Sequence, residues 1–290
     1  TDRLTSTTVS GAPTGADSVT ATNLATAGAT PNLVYDSRGN TTKLADQTIG
    51  YDQSDRHITT TSAGTMVTYL RDVTGRIVAR TVTPTAGSGS TVRYGFNDSA
   101  DSPDWTLDGT GTVLEHTMVM PGGALVSIQQ GGNNWVWSYP NLHGDVVVKT
   151  GGTGVRSGTL AQYDPFGNPI DPTTRLIGTT TADDAVPPNS TQNATYGWEG
   201  SNQKLYEHEG SISTIEMGAR QYLPILGRFL SVDPVSGGNF NDYVYATDPI
   251  NAEDLTGQSL TCSAQLPCYS WNPFDAVRGW VAAGVAAWTA

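Results

Sequence analysis

Residues 35–40 read YDSRGN, and variants of this pattern recur at 51–56 (YDQSDR), 69–77 (YLRDVTGRI) and 163–168 (YDPFGN). Each copy has a tyrosine, then a polar turn that contains Asp or Gly, then a stretch of alternating apolar and polar residues. Asp, Asn and Gly tolerate the positive φ of tight turns, and the Tyr, Thr, Ile and Val around them favour strands. The pattern predicts tandem β-hairpins that stack into an extended sheet rather than a closed globule.

Other segments extend this mainly β prediction. Strand-like runs rich in Val, Trp and Ile, bounded by Gly or Pro, lie at 113–119, 124–129, 135–139 and 144–150. Three segments lack this character. Residues 10–32 consist mostly of Ala, Thr, Gly and Ser and predict a loop or disordered insert; 84–90 predict a hairpin loop, and 179–195 a polar excursion.

Composition limits the partners. Charged residues are 14% of the 290 residues, below the roughly 25% of average domains, and the formal net charge is −12. Such a surface repels a phosphate backbone, so we expect no nucleic-acid partner. We find no phosphate-binding glycine motif and no metal-ligand spacing, and the histidines are scattered (His57, His116, His143 and His208). We therefore expect no cofactor and no metal. No apolar run reaches the about 20 residues of a membrane span.

The two ends have their own features. The chain begins inside patterned sequence, so we expect it to be part of a longer protein. Cys262 and Cys268 could form one local disulfide in an exported protein, or remain two free thiols. Asn272 and Pro273 have the residue types of a helix start, and apolar residues at helical spacing follow (Phe274, Val277, Val281, Val285 and Trp288). They predict a short C-terminal helix.

The region from 196 to 257 is the most specific. It contains YGWEG at 196–200, GARQYLPILGRFLSVDP at 218–234 and NDYVYATDPIN at 241–251. This order closely resembles the RHS repeat-associated core, and the tyrosine units resemble YD repeats of the same family. The family includes bacterial toxin-complex subunits and teneurin-like surface proteins.

The resemblance implies an architecture. In the family, YD hairpins form a β-sheet that spirals into a hollow shell, and the core segment curls inward to close one end. In toxin-type members a variable C-terminal toxin follows the core and is held inside. By this resemblance, residues 1–195 are a shell fragment, 196–258 the core with its autoprotease, and 259–290 the start of the cargo or its leader.

The resemblance also implies a site. In many toxin-type members the core cleaves itself from its toxin with two aspartates, in the manner of an aspartic protease, and an arginine lies nearby. Arg220, Asp233 and Asp254 match these residues, and the scissile bond falls between Gln258 and Ser259. The sequence departs from the family pattern at Leu255, where proline is usual, and at Gln258, where leucine is usual.

The chemistry is coherent by itself. Two close carboxylates share one proton, so one can activate water while the other polarises the scissile carbonyl. Arg220 could hold one carboxylate charged, and a tethered substrate gives a high effective molarity. Each residue also has a structural interpretation, because Asp233 and Asp254 could cap turns and Arg220 could form a structural ion pair.

Two functions follow as hypotheses. The first is a secreted or surface-displayed shell that encloses its own C-terminal toxin, works with a secretion or injection apparatus and cuts itself once as an autocatalytic aspartic-type peptidase. The second is a non-catalytic module of the cell wall or surface that binds glycans or partner cells. The seven tryptophans are either a sugar platform for this role or residues that line the interior or bridge sheet layers.

Overall fold

The computed structural model describes residues 2–129, 134–187, 194–235 and 241–262. Within these ranges thirteen antiparallel strands form one sheet, the repeat sheet, in which every strand pairs with its neighbours in sequence. The strands are β1 (Leu33–Tyr35), β2 (Thr41–Leu44), β3 (Gln47–Tyr51), β4 (His57–Ser62), β5 (Thr65–Arg71), β6 (Ile77–Pro84), β7 (Ser90–Gly95), β8 (Trp105–Asp108), β9 (Val113–Val119), β10 (Leu125–Gln129), β11 (Trp135–Pro140), β12 (Val146–Gly151) and β13 (Arg156–Ser157). The predicted mainly β fold of tandem hairpins is confirmed.

One turn geometry recurs along the chain. A side-chain oxygen of Asp or Asn accepts the backbone N–H groups of the residues two and four positions later, at 2.8–3.0 Å. The residue three positions later has a positive φ, and it is glycine in all these turns except at Asp55. The turns begin at Asp36, Asp52, Asp72, Asp108, Asn141 and Asp164. These bonds replace ladder bonds lost at the bend.

Two of these turns escape a search for tyrosine. Asp108 follows Leu107 and Asn141 follows Pro140, so neither turn has the tyrosine that marks the other copies. The signal that would have identified them is the spacing Asp/Asn-x-x-Gly, because it supplies both the acceptor and the positive φ. The repeat is therefore defined by its turn.

A second sheet, the core sheet, lies against the repeat sheet. Its strands are β14 (Ala194–Tyr196), β15 (Leu205–Glu207), β16 (Thr214–Met217), β17 (Arg220–Leu223) and β18 (Arg228–Phe229). One face meets the repeat sheet: Leu205 packs with Val67 and Val82, and Leu223 packs with Leu33. Because β15, β16 and β17 are buried at every position, their other face is covered too.

Aromatic residues cover that second face. The side chains that point to it from directly paired positions are Tyr206, Ile215, Tyr222 and Phe229. They form one cluster with Trp198 and Tyr245, and the Tyr222 and Tyr245 rings lie 4.6 Å apart. The chain then ends its described part in a small hairpin of β19 (Ala252–Glu253) and β20 (Thr261–Cys262).

Several predictions receive an outcome. The strand predicted at 113–119 coincides with β9, and the other three agree within two residues. Residues 10–32 contain a short helix, α1 (Ser18–Ala21), and bury Val19 and Leu24. These two are the few large apolar residues of that segment, and they fix it to the core. The 179–195 segment includes α2 (Thr180–Asp183). The predicted C-terminal helix and Cys268 lie outside the described residues.

Candidate functional site

The loop between β19 and β20 carries the bond predicted to be cleaved. Asp254 lies at its start, and Gln258 and Ser259 lie near its end. Oδ1 of Asp254 accepts the backbone N–H of Gln258 at 3.0 Å and that of Ser259 at 3.1 Å. The carboxylate therefore contacts the nitrogen of the Gln258–Ser259 peptide bond itself. Asp254 is fully buried.

Arg220 connects both predicted aspartates. Its Nη2 lies 2.9 Å from Oδ2 of Asp233 and 3.0 Å from Oδ2 of Asp254. Its Nε donates to the carbonyl of Gly257 at 2.5 Å, and its Nη1 donates to the carbonyl of Asp242 at 3.0 Å. The guanidinium also lies over the Phe229 ring, 3.6 Å from its centre. Arg220 thus binds two carboxylates and the backbone one residue before Gln258.

Asp233 follows β18 and is held from both sides. Its N–H donates to the carbonyl of Asp242 at 2.9 Å, and its Oδ1 accepts the N–H of Val235 at 2.9 Å. The second oxygen faces Arg220. Its side chain is about 1% exposed. The structure thus brings the three predicted side chains together, and the shared guanidinium nitrogen holds the two carboxylates close to each other.

Burial governs the electrostatics here. It lowers the pKa of the Arg220 guanidinium, and attraction to Asp233 and Asp254 counteracts that effect. One cation faces two carboxylates in a site with almost no exposed surface. Two carboxylates around one cation are an arrangement from which general acid and base catalysis by two aspartates is chemically possible.

Three supporting residues were missed by sequence reasoning. The hydroxyl of Tyr245 accepts the N–H of Asp254 at 3.2 Å. Gly257 has a φ of +64°, and a Cβ there would lie 2.8 Å from the nitrogen of Arg220. Gly218 has a φ of +61°, and its Cβ would lie 2.8 Å from the carbonyl oxygen of Thr256. Each glycine lies in a turn that packs against the segment containing the other, and a glycine in such a turn indicates that two backbone segments approach closely.

A fourth missed residue holds the segment before Asp254. His143 lies in the Asn141 turn; its Nε2 donates to the carbonyl of Pro249 at 2.7 Å, and its Nδ1 lies 2.9 Å from Oδ1 of Asp145. Both ring nitrogens face acceptors, so the ring carries two protons. The hydrogen bond to Asp145 raises the pKa of His143 to about 9, with a further contribution from Glu199. A charged histidine thus holds the backbone at Pro249, five residues before Asp254.

A cavity of about 460 Å³ adjoins the site. Gln258 and Thr256 line it on one side, and residues of the repeat sheet, among them Arg71 and Tyr94, line it on the other. The cavity gives space next to the candidate scissile bond. In the described ranges no three His, Cys, Asp or Glu side chains group as a metal site, and no helix there is long and apolar enough to cross a bilayer.

The tryptophans bear on the glycan hypothesis. Trp198 is buried in the aromatic cluster, and Trp105 stacks on His116 with ring centres 3.8 Å apart. Trp135 and Trp137 lie two residues apart on β11, and their rings stack on each other. Trp135 is 37% exposed. Trp135 is the exposed ring among these four, whereas Trp105 and Trp137 are partly buried.

The chain is similar in sequence to two known nucleases. No protein-family model matches the chain. It is 27% identical over 237 residues to the tRNA3(Ser)-specific nuclease WapA of Bacillus spizizenii, covering 78% of this chain and 9% of that protein. It is 26% identical over 268 residues to the tRNA nuclease WapA of Bacillus subtilis strain 168, covering 88% of this chain and 10% of that protein. The chain thus spans about a tenth of the length of these relatives.

Solved structures agree on the fold. The crystal structure of TcdB2-TccC3-Cdc42 superposes with a TM-score of 0.55 at 20% identity, over 77% of this chain and 11% of that one. The Tc holotoxin pore of Photorhabdus luminescens gives a TM-score of 0.55 at 19% identity, over 80% of this chain and 11% of that one. The turn repeats and core motifs of the chain resemble those of RHS/YD-repeat proteins, and its fold is similar to that of these toxin structures.

Proposed function

We propose that the chain is the C-terminal part of an RHS-repeat shell that encloses and delivers a C-terminal toxin, and that its core cuts the backbone once, between Gln258 and Ser259. The observation that carries the cut is the position of Asp254. Its carboxylate contacts the amide nitrogen of Ser259 and shares Arg220 with Asp233. On this proposal, 1–195 is the shell fragment, 196–258 the core, and 259–290 the start of the cargo or its leader.

The geometry supports a division of roles. The pair holds one proton, on Asp233, because both oxygens of Asp254 accept N–H groups. The Asp254 carboxylate takes a proton from water, and the resulting hydroxide adds to the carbonyl carbon of Gln258. Asp254, which lies at the Ser259 nitrogen, then gives this proton to that nitrogen as the C–N bond breaks. The products are a carboxyl group on Gln258 and a free amine on Ser259. Water and one peptide bond are consumed, and the pair ends with the one proton it began with.

Arg220 positions the strand that is cut. Its bond to the carbonyl of Gly257 fixes the residue before Gln258, and its bonds to both aspartates fix the acid and the base. Because the substrate is part of the same chain, orientation is already established when folding ends. Intramolecular reactions gain greatly from such orientation, so a modest catalyst suffices for a single turnover.

Delivery of a toxin is supported by the relatives. The two WapA proteins are named as nucleases, and the solved neighbours include a toxin pore. A shell that holds a toxin needs to separate it from the wall before release, and a cut after the core does so. Export to the cell surface or medium, and a partner apparatus, belong to the same proposal.

Purification of the expressed chain tests the cut. A denaturing gel and intact-mass spectrometry are expected to give two products, residues 1–258 and 259–290, with Ser259 as a new N-terminus. Asp233→Asn and Asp254→Asn are each expected to leave the chain whole, because an amide cannot exchange the proton. Asp248→Asn is the matched control, since Asp248 is exposed and its carboxylate bonds only to the Asn251 amide among the side-chain contacts described. An intact wild-type chain would contradict the proposal.

A further inference from the structure

A buried arginine of the repeat sheet reaches the turn that carries Arg220. Arg71 ends β5, and its side chain is about 3% exposed. Nε donates to the carbonyl of His57 at 2.8 Å, and Nη1 donates to the carbonyl of Gly75 at 2.8 Å, both within the repeat sheet. Nη2 binds Oε2 of Glu216 at 2.7 Å, and Nη1 reaches the carbonyl of Gly218 at 3.3 Å. One side chain therefore joins the two sheets.

Glu216 completes this connection. Its other oxygen, Oε1, lies 2.8 Å from Nδ1 of His57, whose Nε2 lies 2.8 Å from Oγ1 of Thr60. Burial alone would raise the pKa of Glu216, but His57 and Arg71 outweigh it and the pKa is lowered. The carboxylate is thus held from two sides by strands β4 and β5. The end of β16 cannot shift without breaking a buried charged contact.

The turn after Glu216 is packed directly on the candidate cleavage loop. Gly218 and Ala219 connect β16 to β17, and the N–H of Ala219 donates to the carbonyl of Thr256 at 3.0 Å. Neither Gly218 nor Gly257 has space for a Cβ against the opposite segment. A displacement of the turn is therefore transmitted to residues 256–257 and to Arg220, which starts β17.

We infer that Arg71 is a positioning residue for the cut: through Glu216 and Gly218 it holds the turn against the 256–258 segment, so that cleavage depends on contact between the repeat sheet and the core. This inference rests on the proposed function. Arg71 touches neither reacting carboxylate nor the scissile bond in any described contact, so it acts through geometry alone. A misplacement of about 1 Å costs about 100-fold in rate in a site of this kind.

The molecule offers a matched control. Arg80 is equally buried and binds Glu207 with two bonds of 2.6 Å, again from the repeat sheet to the core sheet. Glu207 also accepts the hydroxyl of Tyr69 at 2.6 Å. Glu207 ends β15, however, and none of its described contacts is to the cleavage loop. Loss of the Arg80 contact disturbs the packing of the sheets without moving the Gly218 turn.

Cleavage rates separate the two arginines. The chain is made by cell-free synthesis, translation is stopped, and the intact fraction is followed with time on denaturing gels. Arg71→Lys keeps the charge but cannot reach Glu216 and Gly218 together, so we expect cleavage at least tenfold slower than in wild type. Arg80→Lys is expected to stay within about threefold of wild type. Equal rates for the two variants, or a slower Arg80→Lys, would overturn the inference.

Chemical rescue distinguishes a specific guanidinium contact from a general packing role, because packing alone would not be restored by a small cation. Arg71 lines the 460 Å³ cavity, so its removal leaves space next to Glu216 that a small cation can enter. Arg71→Ala is expected to cleave about 100-fold slower than wild type and to recover at least tenfold in millimolar guanidinium chloride, with no recovery in sodium chloride. Absence of recovery in a folded Arg71→Ala chain counts against the inference.

A final experiment, hydrogen exchange, does not require the backbone to be cleaved. In the uncleavable Asp233→Asn background, hydrogen exchange is measured at the amides of Ala219 and Gln258. Adding Arg71→Lys is expected to speed their exchange at least tenfold, whereas adding Arg80→Lys leaves it unchanged. An intact wild-type chain would refute self-cleavage alone, and this exchange experiment would still decide whether Arg71 holds the turn. Unchanged exchange with Arg71→Lys would refute the inference while leaving self-cleavage standing.

Discussion

The carboxylates of the repeat turns and those beside the core differ in how they are satisfied. Burial of Asp72 would raise its pKa, but bonds from Thr74 and Arg76 within the same turn outweigh it and lower the pKa to about 2. The pKa values of Asp36, Asp52 and Asp108 are lowered too. These four turns thus supply the donors for their own carboxylates and keep them charged.

At three acids beside the core, Asp17, Asp183 and Glu199, the opposite holds. Burial raises the pKa of Asp17 to about 6 and that of Glu199 to about 8, and it raises the pKa of Asp183 as well. These groups come from distant segments and meet other acids; Asp17 and Asp183 contact each other. The repeat sheet is therefore built from local polar contacts, and the core from long-range ones. The following predictions test this difference, from the largest effect to the smallest.

The largest effect is expected where an ion pair joins the two sheets. Arg80→Met leaves Glu207 buried without its cation, and such a break costs about 3–5 kcal/mol. The matched change within a repeat, Arg56→Met, removes a pair with Asp52 whose side chains are about a quarter exposed, and costs under about 1 kcal/mol. Urea denaturation of the Asp233→Asn chain measures both. Similar losses of unfolding free energy in the two variants would contradict the distinction between local and long-range contacts.

A smaller effect is expected at Gly257, the glycine of the candidate cleavage loop. Gly257→Ala adds the strain of a positive φ and a collision with Met217 and Arg220, and should cost about 2–3 kcal/mol. Gly210 has the same φ of +64° but no atom within 4 Å, so Gly210→Ala measures the strain alone, about 1 kcal/mol. Thermal unfolding in the uncleavable background gives the difference. Equal losses would mean that the loop moves away without cost.

The pH dependence of the acid pair comes next. Asp17 titrates near 3.8 when unfolded and near 6 when folded, so the folded state binds more protons between these values and stability falls as pH rises through them. Asp183, Asp184 and His208 face the same site, and Asp183 extends the fall to higher pH. Asp17→Asn should remove a loss of about 2 kcal/mol between pH 4 and 7. Parallel curves of melting temperature against pH for both chains would contradict this.

The smallest effect is expected at one repeat turn. Asp72→Ala removes a set of bonds that are partly exposed, and should cost about 1 kcal/mol at pH 7. The sign is opposite to that of Asp17: the folded pKa is lowered, so this contribution is present above about pH 4 and is lost as pH falls toward 2. Melting temperatures of wild type and Asp72→Ala should converge in acid. A constant gap would show that the charge plays no part.

Local pattern predicted the sheet because each hairpin carries its own information. The strand at 113–119 and the turn at Asp72 follow from alternation and from an acceptor placed before glycine. The same reasoning predicted a loop or disordered insert at 10–32, and it did not anticipate the docking of that segment through Val19 and Leu24. Two apolar residues among many small ones give no periodic signal.

The candidate site was accessible only through family motifs. Arg220, Asp233 and Asp254 lie up to 34 residues apart, and no periodicity indicates that they meet. Tyr245 and His143 act through a hydroxyl and a ring that contact the backbone near Asp254, and such contacts leave no spacing to detect. Arg71 belongs to a repeat that looks like any other, so its link to the core needed the three-dimensional arrangement.

The bond from Arg71 to Gly218 spans 147 residues. A ribosome has therefore already made most of the repeat sheet before this turn can be fixed, and long-range contacts of this kind form late. The 254–259 loop packs on this turn, so it is fixed in position only after the strands of the repeat sheet have assembled. The contact between Arg71 and Gly218 therefore makes the position of this turn depend on the earlier folding of the repeat strands.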